Sequence, residues 1–303
     1  MSKFIRFPSY LAISYWLLAI GFSSCSTFDP PVTVPIYGHI DSVHFTTSYY
    51  GSGSTPAQGS ASANIKYAWV YLDDNPIGAF QLPCTFPMVG SSGTHTVQIY
   101  SGIIPADGTS PTSIEPYYQY YSITLNMNQG SKYTFHPTST YYSWVKFPYL
   151  EDFESEPPGN QPAYIVKAEG TQAVMIVTRN PAYVFEGKGS GMAIVNAANP
   201  KFIAETIADT LPKTGAVPVF LEINYKATTD FEVGMFHYTD STTGLSPIFP
   251  IASTKWNKIY VNLSTIIAAN QIGPYHIYFA MNLNTAEGHT ADTLLLDNIK
   301  IVD

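Results

Sequence analysis

Residues 219–226 read VFLEINYK, and this stretch decides the fold class. Leu221, Ile223 and Tyr225 alternate with polar residues. Successive side chains of a β-strand point to opposite faces, so the three apolar residues share one face. The residues on the other face are Glu222, Asn224 and Lys226. The pattern predicts a strand with one face against a core and one face in solvent.

Similar short runs fill most of the chain. They include KYAWVYLDD, HTVQIYSG, YYSITLNM, NKIYVNLS, HIYFAMNL and TLLLDNIKIV, and residues rich in Gly, Pro, Asn and Ser separate them. EPYYQYY (115–121) also predicts an alternating strand, half of which faces water. Helical periodicity is almost absent after residue 24, apart from one or two turns around residues 265–270. The chain is therefore predicted to be all-β, built as sandwiches or barrels.

The length of 303 residues fits two domains better than one. A seam is expected in VKFPYLEDFESEPPGN, where Pro148 interrupts the strand run and Pro157-Pro158-Gly159 marks a turn. We predict β-sandwich domains at residues 36–147 and 148–303. No repeat of 20 to 50 residues is visible, which argues against propellers and solenoids.

The N-terminal segment is typical of an exported protein. Lys3 and Arg6 precede an apolar run that is shorter than a membrane span, so residues 1–24 are predicted to be a signal peptide. Phe22-Ser23-Ser24-Cys25 resembles a bacterial lipobox, although Leu is the usual first residue. The resemblance implies fatty acyl chains, such as palmitate, on Cys25, a tether at residues 25–35, and an outer-membrane lipoprotein at the cell surface. An ordinary secretory peptide is the alternative.

Composition limits the partners. The chain has 22 acidic against 14 basic residues and no basic run, so nucleic acid is excluded as a partner and the membrane is reached only through the lipid. The 23 tyrosines suit neutral, hydroxyl-rich partners, namely glycans or the surfaces of other proteins. If Cys25 carries lipid, Cys84 has no disulfide partner and is expected to be a small apolar residue of the core.

One stretch of the first domain resembles a small sandwich family. In VYLDDNPIGAFQLPCTFPMVGSSGTHTVQIYSG, a turn at Asp73-Asp74-Asn75 is followed by Leu82-Pro83 and by a strand containing His95 and Val97. This order resembles the PEGA domain, although Asn75 stands where that family has Gly. The resemblance covers about 35 residues and implies a surface-exposed spacer or binding module.

The second domain resembles the galactose-binding-like jelly rolls of carbohydrate-binding modules in Gram-negative outer-membrane lipoproteins. The resemblance rests on LEDFES, GSGMAIVN, FLEINYK, WNKIYVNLS and LLLDNIKIVD. It implies that the first and last strands of the domain are neighbours. It also implies a structural calcium ion held by Asp152 or Glu154 together with Asp297, with backbone carbonyls completing the shell. The alternative is that the first two acids are solvated and Asp297 caps a turn. No other cofactor is expected.

Sugar-binding jelly rolls stack exposed aromatic rings on the C–H faces of sugars. The residues that the resemblance brings forward as ligand contacts are Trp256, Tyr238, Tyr183 and Trp144. Trp256 precedes a strand, where it would otherwise pack at the edge of the core. Tyr238 is expected at the mouth of a loop.

No sequence motif for a catalytic site is present. HExxH, GxSxG and P-loop patterns are absent, and GKGSG (187–191) lacks the Ser or Thr that would follow the lysine of a P-loop. We therefore expect a non-catalytic surface lipoprotein that binds or presents glycans as an accessory to polysaccharide uptake. The alternative is a structural or adhesive protein that contacts protein partners, and a glycosidase, with carboxylates converging from distant loops, is less expected.

Overall fold

The computed structural model describes residues 34–47, 58–106, 108, 110–207, 211, 218–237, 240–269 and 273–303. Strands dominate these ranges. Those of the first part of the chain are β1 (Ile36–Ile40), β2 (His44–Phe45), β3 (Tyr67–Leu72), β4 (Asn75–Gln81), β5 (Cys84–Met88), β6 (Gly93–Ile103), β7 (Ser113–Ile114), β8 (Tyr121–Met127), β9 (Lys132–Phe135) and β10 (Thr138–Ser139).

The first part is a sandwich of two small sheets. Strands β5-β1-β9 form one sheet, and β4-β3-β6 form the other, with β7 and β8 both paired to β6. Apolar side chains from both sheets meet in a common core. Asp73 and Asp74 have φ values of 50° and 63°, which places both central residues of the β3–β4 turn in the left-handed region that a two-residue hairpin requires. Aspartate tolerates this region better than most residues do.

The second part carries the remaining strands: β11 (Tyr149–Glu151), β12 (Ile165–Lys167), β13 (Met175–Thr178), β14 (Ser190–Asn196), β15 (Lys201–Thr206), β16 (Phe220–Ala227), β17 (Glu232–His237), β18 (Asp240–Ile248), β19 (Ser253–Asn262), β20 (Tyr275–Asn282) and β21 (Ala291–Val302). A short helix α1 (Ser264–Ala269) forms where the sequence predicted one, and a 3₁₀ turn spans Thr285–Glu287. Within the described ranges no helix is long and apolar enough to span a membrane.

Two sheets pack face to face in this second part as a jelly-roll sandwich. One has the order β13-β14-β21-β16-β19, with β11 beside β21, and the other has the order β12-β15-β20-β17-β18. Because β11 pairs antiparallel with β21, the first and last strands are neighbours, as the resemblance implied. Leu221, Ile223 and Tyr225 point into the core between the sheets, which confirms the alternation read from the sequence. The all-β prediction is confirmed.

EPYYQYY departs from its predicted strand. Strand β8 begins only at Tyr121, and the preceding residues form a turn whose Tyr118 makes an isolated bridge with Tyr141. Tyr117 and Tyr118 are buried, and Tyr120 is exposed. The spacing of the aromatic residues resembled strand alternation. In the structure a turn instead buries two consecutive rings, those of Tyr117 and Tyr118, against the second sandwich.

The outer face of the β16 sheet is not solvated, and this corrects the prediction for Glu222 and Asn224. Their exposed fractions are 0 % and 2 %. The first sandwich covers this face with an apolar cluster that both parts share. Its members are Phe45, Ile103, Tyr117, Tyr118, Tyr141 and Val145 from the first part, and Phe220, Tyr260 and Val302 from the second. Alternation identifies the two faces of a strand but not what covers each face.

Buried charges lie inside this seam. Lys258 Nζ lies 2.6 Å from Glu222 Oε2. Lys300 Nζ donates to the carbonyl oxygens of Gln58 (2.9 Å) and Ser60 (2.7 Å) and to Tyr141 Oη (3.1 Å). Tyr141 Oη in turn donates to Glu222 Oε1 at 2.9 Å. Burial favours the neutral carboxyl, but Lys258 and Lys300 outweigh it and hold the pKa of Glu222 below its ordinary value. All three charged residues belong to the second sandwich, and the first sandwich supplies neutral partners, namely the carbonyl oxygens of Gln58 and Ser60 and the hydroxyl of Tyr141. Burial lowers the pKa of Lys300 to about 7.

Glu222→Gln is expected to lower the free energy of unfolding by about 3–5 kcal/mol, because it leaves the buried ammonium of Lys258 without its counter-ion. The double variant Glu222→Gln, Lys258→Met should lose less than this single variant, since both buried charges are then gone. Urea unfolding followed by tryptophan fluorescence measures the difference.

The matched control is Lys167→Met, which removes a lysine from an exposed position of β12 and should leave the unfolding midpoint unchanged. An unfolding free energy of Glu222→Gln equal to that of the control would contradict the assignment of a stabilising ion pair at the seam.

Candidate ligand-binding groove and acidic pocket

An open groove lies where the first sandwich meets a loop of the second. Its volume is about 670 Å³, and it is lined by Ser42–Phe45, Ala61–Lys66, Phe185 and Glu186. The volume lies within the range of roughly 300–1,000 Å³ that is usual for small-ligand sites. Both sandwiches are needed to form it, because each contributes only one wall.

An aromatic pair stands beside this groove. Trp256 lies near the start of β19, on the same outer face as Lys258 and Tyr260, and its ring centroid is 5.3 Å from that of Phe185, at an interplanar angle of 57°. Both rings are half-buried. The backbone N–H of Phe185 donates to Ser190 Oγ at 3.1 Å, which fixes the loop above the tryptophan. Trp256 therefore packs at the edge of the covered face, against the ring of Phe185 that lines the groove.

The opposite wall is held by hydrogen bonds to the second sandwich. Asn64 Nδ2 donates to the carbonyl oxygen of Lys258 at 2.9 Å, and the backbone N–H of Asn64 donates to Tyr260 Oη at 2.8 Å. Asn224 Nδ2 donates to Ser62 Oγ at 2.8 Å. These bonds fix residues 61–66 in place, so the groove is preorganised rather than assembled on binding. His44, Lys66 and Glu186 are its exposed charged or titratable side chains.

An acidic pocket of about 250 Å³ adjoins the groove through Glu186, which lines both. Its residues are Asp152, Glu154, Glu186, Gly187, Asp297 and Asn298. The three acids named from the sequence thus lie around one pocket. Two irregularities of the backbone bring them there: β21 changes register at Asp297–Asn298, where Asn298 has φ 48°, and Phe153 has φ 57°.

The carboxylates of this pocket are already engaged by the chain. Asp297 Oδ2 accepts from Ser190 Oγ at 2.6 Å, and its Oδ1 accepts from the backbone N–H of Asn298 at 2.8 Å. Glu154 Oε1 accepts from the backbone N–H groups of Lys188 (2.7 Å) and Gly189 (3.0 Å). A Cβ atom at Gly187 would overlap Glu154 Oε1, and the φ of Gly187 is +64°. The glycines of GKGSG therefore allow the loop to close around Glu154 instead of binding a phosphate.

Burial raises the pKa of Asp297 to about 8. The hydrogen bonds from Ser190 and Asn298 oppose the rise, whereas the nearby charges of Glu186 and Glu154 add to it. Near neutral pH this side chain therefore retains a proton, which is the state expected of a buried carboxyl that faces other carboxylates.

These residues offer the donor atoms that calcium prefers, but they are not arranged to coordinate it. Asp152, Glu154, Glu186 and Asp297 offer only hard oxygen donors, which Ca²⁺ prefers. Yet in the part of the chain that the structure describes, no three His, Cys, Asp or Glu side chains are placed to hold a metal ion. The donors of Asp297 and Glu154 already accept hydrogen bonds from Ser190 and from the backbone. The residues do not form a coordination shell, and calcium stays a prediction.

The four predicted aromatic contacts do not converge. Tyr183 is exposed on the loop that carries Phe185, and its backbone N–H donates to the carbonyl oxygen of Asn180 at 2.8 Å. Trp144 is 56 % exposed but lies in the first part of the chain, 5.7 Å from the ring of Tyr117, which contacts Phe220 at the far end of β16. Tyr238 and Cys25 lie outside the described residues. The structure thus brings only Tyr183 and Trp256 into one neighbourhood.

Phe185, Glu186 and residues 61–66 were not predicted as groove residues. The segment 61–66 reads ASANIK, which has neither strand alternation nor a motif. Its position depends on hydrogen bonds to β16 and β19, almost 200 residues away in the chain, and no local pattern encodes those partners.

Comparisons with known proteins give fold-level matches. No family model and no curated protein sequence matches the chain. Among solved structures, TmCBM61 in complex with β-1,4-galactotriose matches with a TM-score of 0.31 and 10 % identity, over 50 % of this chain and 97 % of that one. A xylan-binding domain from CBM 22 matches with a TM-score of 0.30 and 13 % identity, over 51 % and 93 %. A cyclase from Fischerella sp. TAU matches with a TM-score of 0.41 and 11 % identity, over 52 % and 96 %.

These structural neighbours include carbohydrate-binding modules, and their low TM-scores carry no argument about the ligand of this chain. The PEGA resemblance of the first part stays a prediction, as does the boundary near residue 148.

The pKa of Asp297 predicts a pH dependence. Between its ordinary pKa of 3.8 and the folded-state pKa of about 8, the folded chain holds a proton that the unfolded chain releases. The free energy of unfolding should therefore fall as the pH rises through this window, by up to about 1.4 kcal/mol per pH unit, and Asp297→Asn should lack this slope. Urea unfolding of both proteins at several pH values in EGTA isolates the contribution of Asp297.

Repeating the series with calcium chloride tests the ion. Calcium held by these carboxylates would keep Asp297 ionised and flatten the slope of the unmodified protein. Parallel pH profiles for the unmodified chain and Asp297→Asn in EGTA would show that the Asp297 carboxyl is not protonated in the fold.

Proposed function

We propose that this protein is a non-catalytic lipoprotein of the cell surface that binds glycans in the groove between its two sandwiches. The observation that carries the proposal is the preorganised groove of about 670 Å³, walled by Phe185, beside which Trp256 packs, and by the uncharged segment Ala61–Ile65. Aromatic faces accept the C–H groups of a sugar, and the exposed side chains of His44 and Lys66 in the groove can pair with its hydroxyls. The acidic chain favours a ligand without negative charge.

Trp256→Ala and Phe185→Ala should each weaken glycan binding at least about tenfold, because Phe185 is the ring that lines the groove and Trp256 is the ring that supports it. A glycan array probed with the purified full-length chain identifies the ligand, and calorimetry with that glycan measures the affinities. Full-length protein is needed because residues 42–45 and 61–66 form one wall.

Phe249→Ala is the matched control. Phe249 is 64 % exposed and lines a separate pocket of about 270 Å³ beside Asp230 and Asn282. Its variant should bind glycan like the unmodified chain. Loss of binding in Phe249→Ala with none in Trp256→Ala would move the site to that pocket and contradict the groove.

Acylation of Cys25 is part of the proposal, and it would hold the protein at the outer membrane with the proline-containing residues 26–35 as spacer. We expect the mature protein to begin at Cys25 and to carry acyl chains, and we expect Cys25→Ser to leave the membrane fraction. Intact-mass spectrometry and fractionation measure both. An unmodified thiol, or a first residue other than Cys25, would contradict the anchor and leave the glycan site untouched.

A glycosidase is the rival that one observation favours. Carboxyl groups of Asp152, Glu154, Glu186 and Asp297 line one pocket, and the raised pKa of Asp297 suits a general acid. Against this, Asp297 is only 1 % exposed, and Glu154 Oε1 is occupied by two backbone N–H groups. Sugar release from the bound glycan that disappears in Glu186→Gln would favour the enzyme. An adhesive role is the other rival, and an array without glycan hits would favour it.

A further inference from the structure

The outward face of the first sandwich carries a row of aromatic rings. Along β3, Ala68, Val70 and Leu72 point into the core, so Trp69 and Tyr71 point outward. Strand β6 lies beside β3 and places Tyr100 opposite Trp69. In contrast to the face of β16, which the first sandwich covers, these outward rings are only partly buried.

The rings form a continuous surface. Tyr71 and Tyr100 have centroids 5.2 Å apart, and Tyr100 stacks on Tyr120 at 4.7 Å. Tyr142 stacks on Trp144 at 5.7 Å with an interplanar angle of 15°. The backbone N–H of Tyr142 donates to the carbonyl oxygen of Tyr117 at 2.9 Å, and that of Gln119 donates to the carbonyl oxygen of Thr140 at 2.7 Å, so the segment that carries Tyr142 and Trp144 lies beside the segment that carries Tyr120. Tyr71, Tyr100, Tyr120, Tyr142 and Trp144 are called the tyrosine band below.

The strand positions that flank the band carry neutral side chains able to form hydrogen bonds, and one carboxylate, Asp74, lies at its end. Ser122, Thr124 and Asn126 are exposed along β8, and Ser122 lies opposite Gln98 of β6. Gln98 Nε2 donates to Asp74 Oδ1 at 2.9 Å, which holds the amide at the end of the band. These amides and hydroxyls lie next to aromatic faces on a rigid sheet, which is a combination that recognises sugars rather than charged groups.

The charge around the tyrosine band indicates which class of ligand it can bind. The band and its flanking strand positions contain no cationic side chain, and the chain as a whole is acidic, with a formal charge of −8. Sulfated or uronate-rich glycans, nucleic acid and anionic lipid would be repelled. A neutral glycan fits both the aromatic rings and the polar side chains beside them. Its C–H faces stack on the rings, while its hydroxyls pair with Gln98, Ser122 and Thr124.

We infer that the tyrosine band is a second binding surface, for a neutral glycan chain, on the domain whose resemblance suggested a spacer. The inference shares the ligand class of the proposed function but not its site. Two surfaces on one chain would engage the same polymer together, so the protein should bind long chains more tightly than short oligosaccharides of the same sugar.

The test compares variants of the full-length chain on the neutral polysaccharide that the array identifies. Tyr120→Ala and Trp144→Ala should each weaken binding about tenfold, since each removes one exposed stacking ring. Tyr37→Ala is the matched control, because Tyr37 is 41 % exposed against 40 % for Tyr120 but lies on β1, in the other sheet of the same sandwich. Thermal unfolding of each variant shows whether the fold is kept.

The outcomes separate this inference from the proposed groove. Loss of binding in the Tyr120 and Trp144 variants with Trp256→Ala still binding supports the band alone, and loss in both sets supports two sites. Unchanged affinity in the double variant Tyr120→Ala, Trp144→Ala, with binding lost in Trp256→Ala, overturns the band and leaves the groove. Retention of a protein partner through the band without any glycan binding also overturns it.

Discussion

The fold depends on how the seam between the two sandwiches accommodates buried charge. Glu222, Lys258 and Lys300 are 0 %, 5 % and 0 % exposed, so their hydration is lost when the sandwiches meet. Each is compensated by a group from another strand or from the other sandwich. The lost hydration is compensated only when every partner is in place. The seam therefore favours a single arrangement of the two sandwiches, with little sliding of one against the other.

The groove is a consequence of that orientation. Segment 61–66 reaches the second sandwich through the same strands, β16 and β19, that carry Glu222 and Lys258, and Gln58 and Ser60 just before it cap the ammonium of Lys300. One continuous segment, residues 58–66, therefore binds Lys300 through the carbonyls of Gln58 and Ser60 and also forms the groove wall. Disturbing the contacts of Glu222, Lys258 and Lys300 would displace the groove wall. Stability and ligand binding are therefore expected to be coupled at this seam, although none of the three charged residues lines the groove.

Sequence alone predicted most strands, though not the turn at EPYYQYY, and it did not predict what covers the strands. The alternation in LEINYK correctly directed Leu221, Ile223 and Tyr225 to the core. It directed Glu222 and Asn224 to solvent, because a polar residue in a strand is usually exposed, and no local signal announces a second sandwich. The acids Asp152, Glu154 and Asp297 were brought together by the resemblance, and the structure places them around one pocket. Phe185 and residues 61–66 could not be predicted, since their partners are distant in the chain and the contact is tertiary.

Tyrosine serves two purposes in this chain. In the seam, burial raises the pKa of Tyr141 and of Tyr118, so both stay neutral. Tyr141 can then accept from Lys300 while donating to Glu222, which a phenylalanine could not do. On the outer sheet, Tyr100 and Tyr120 present the same ring to solvent with a hydroxyl that water satisfies. A chain with only 12 % charged residues thus uses one neutral side chain both to connect buried charges and to display aromatic faces. The first use connects the two sandwiches through Tyr141, and the second leaves aromatic faces on the outer sheet of the first sandwich.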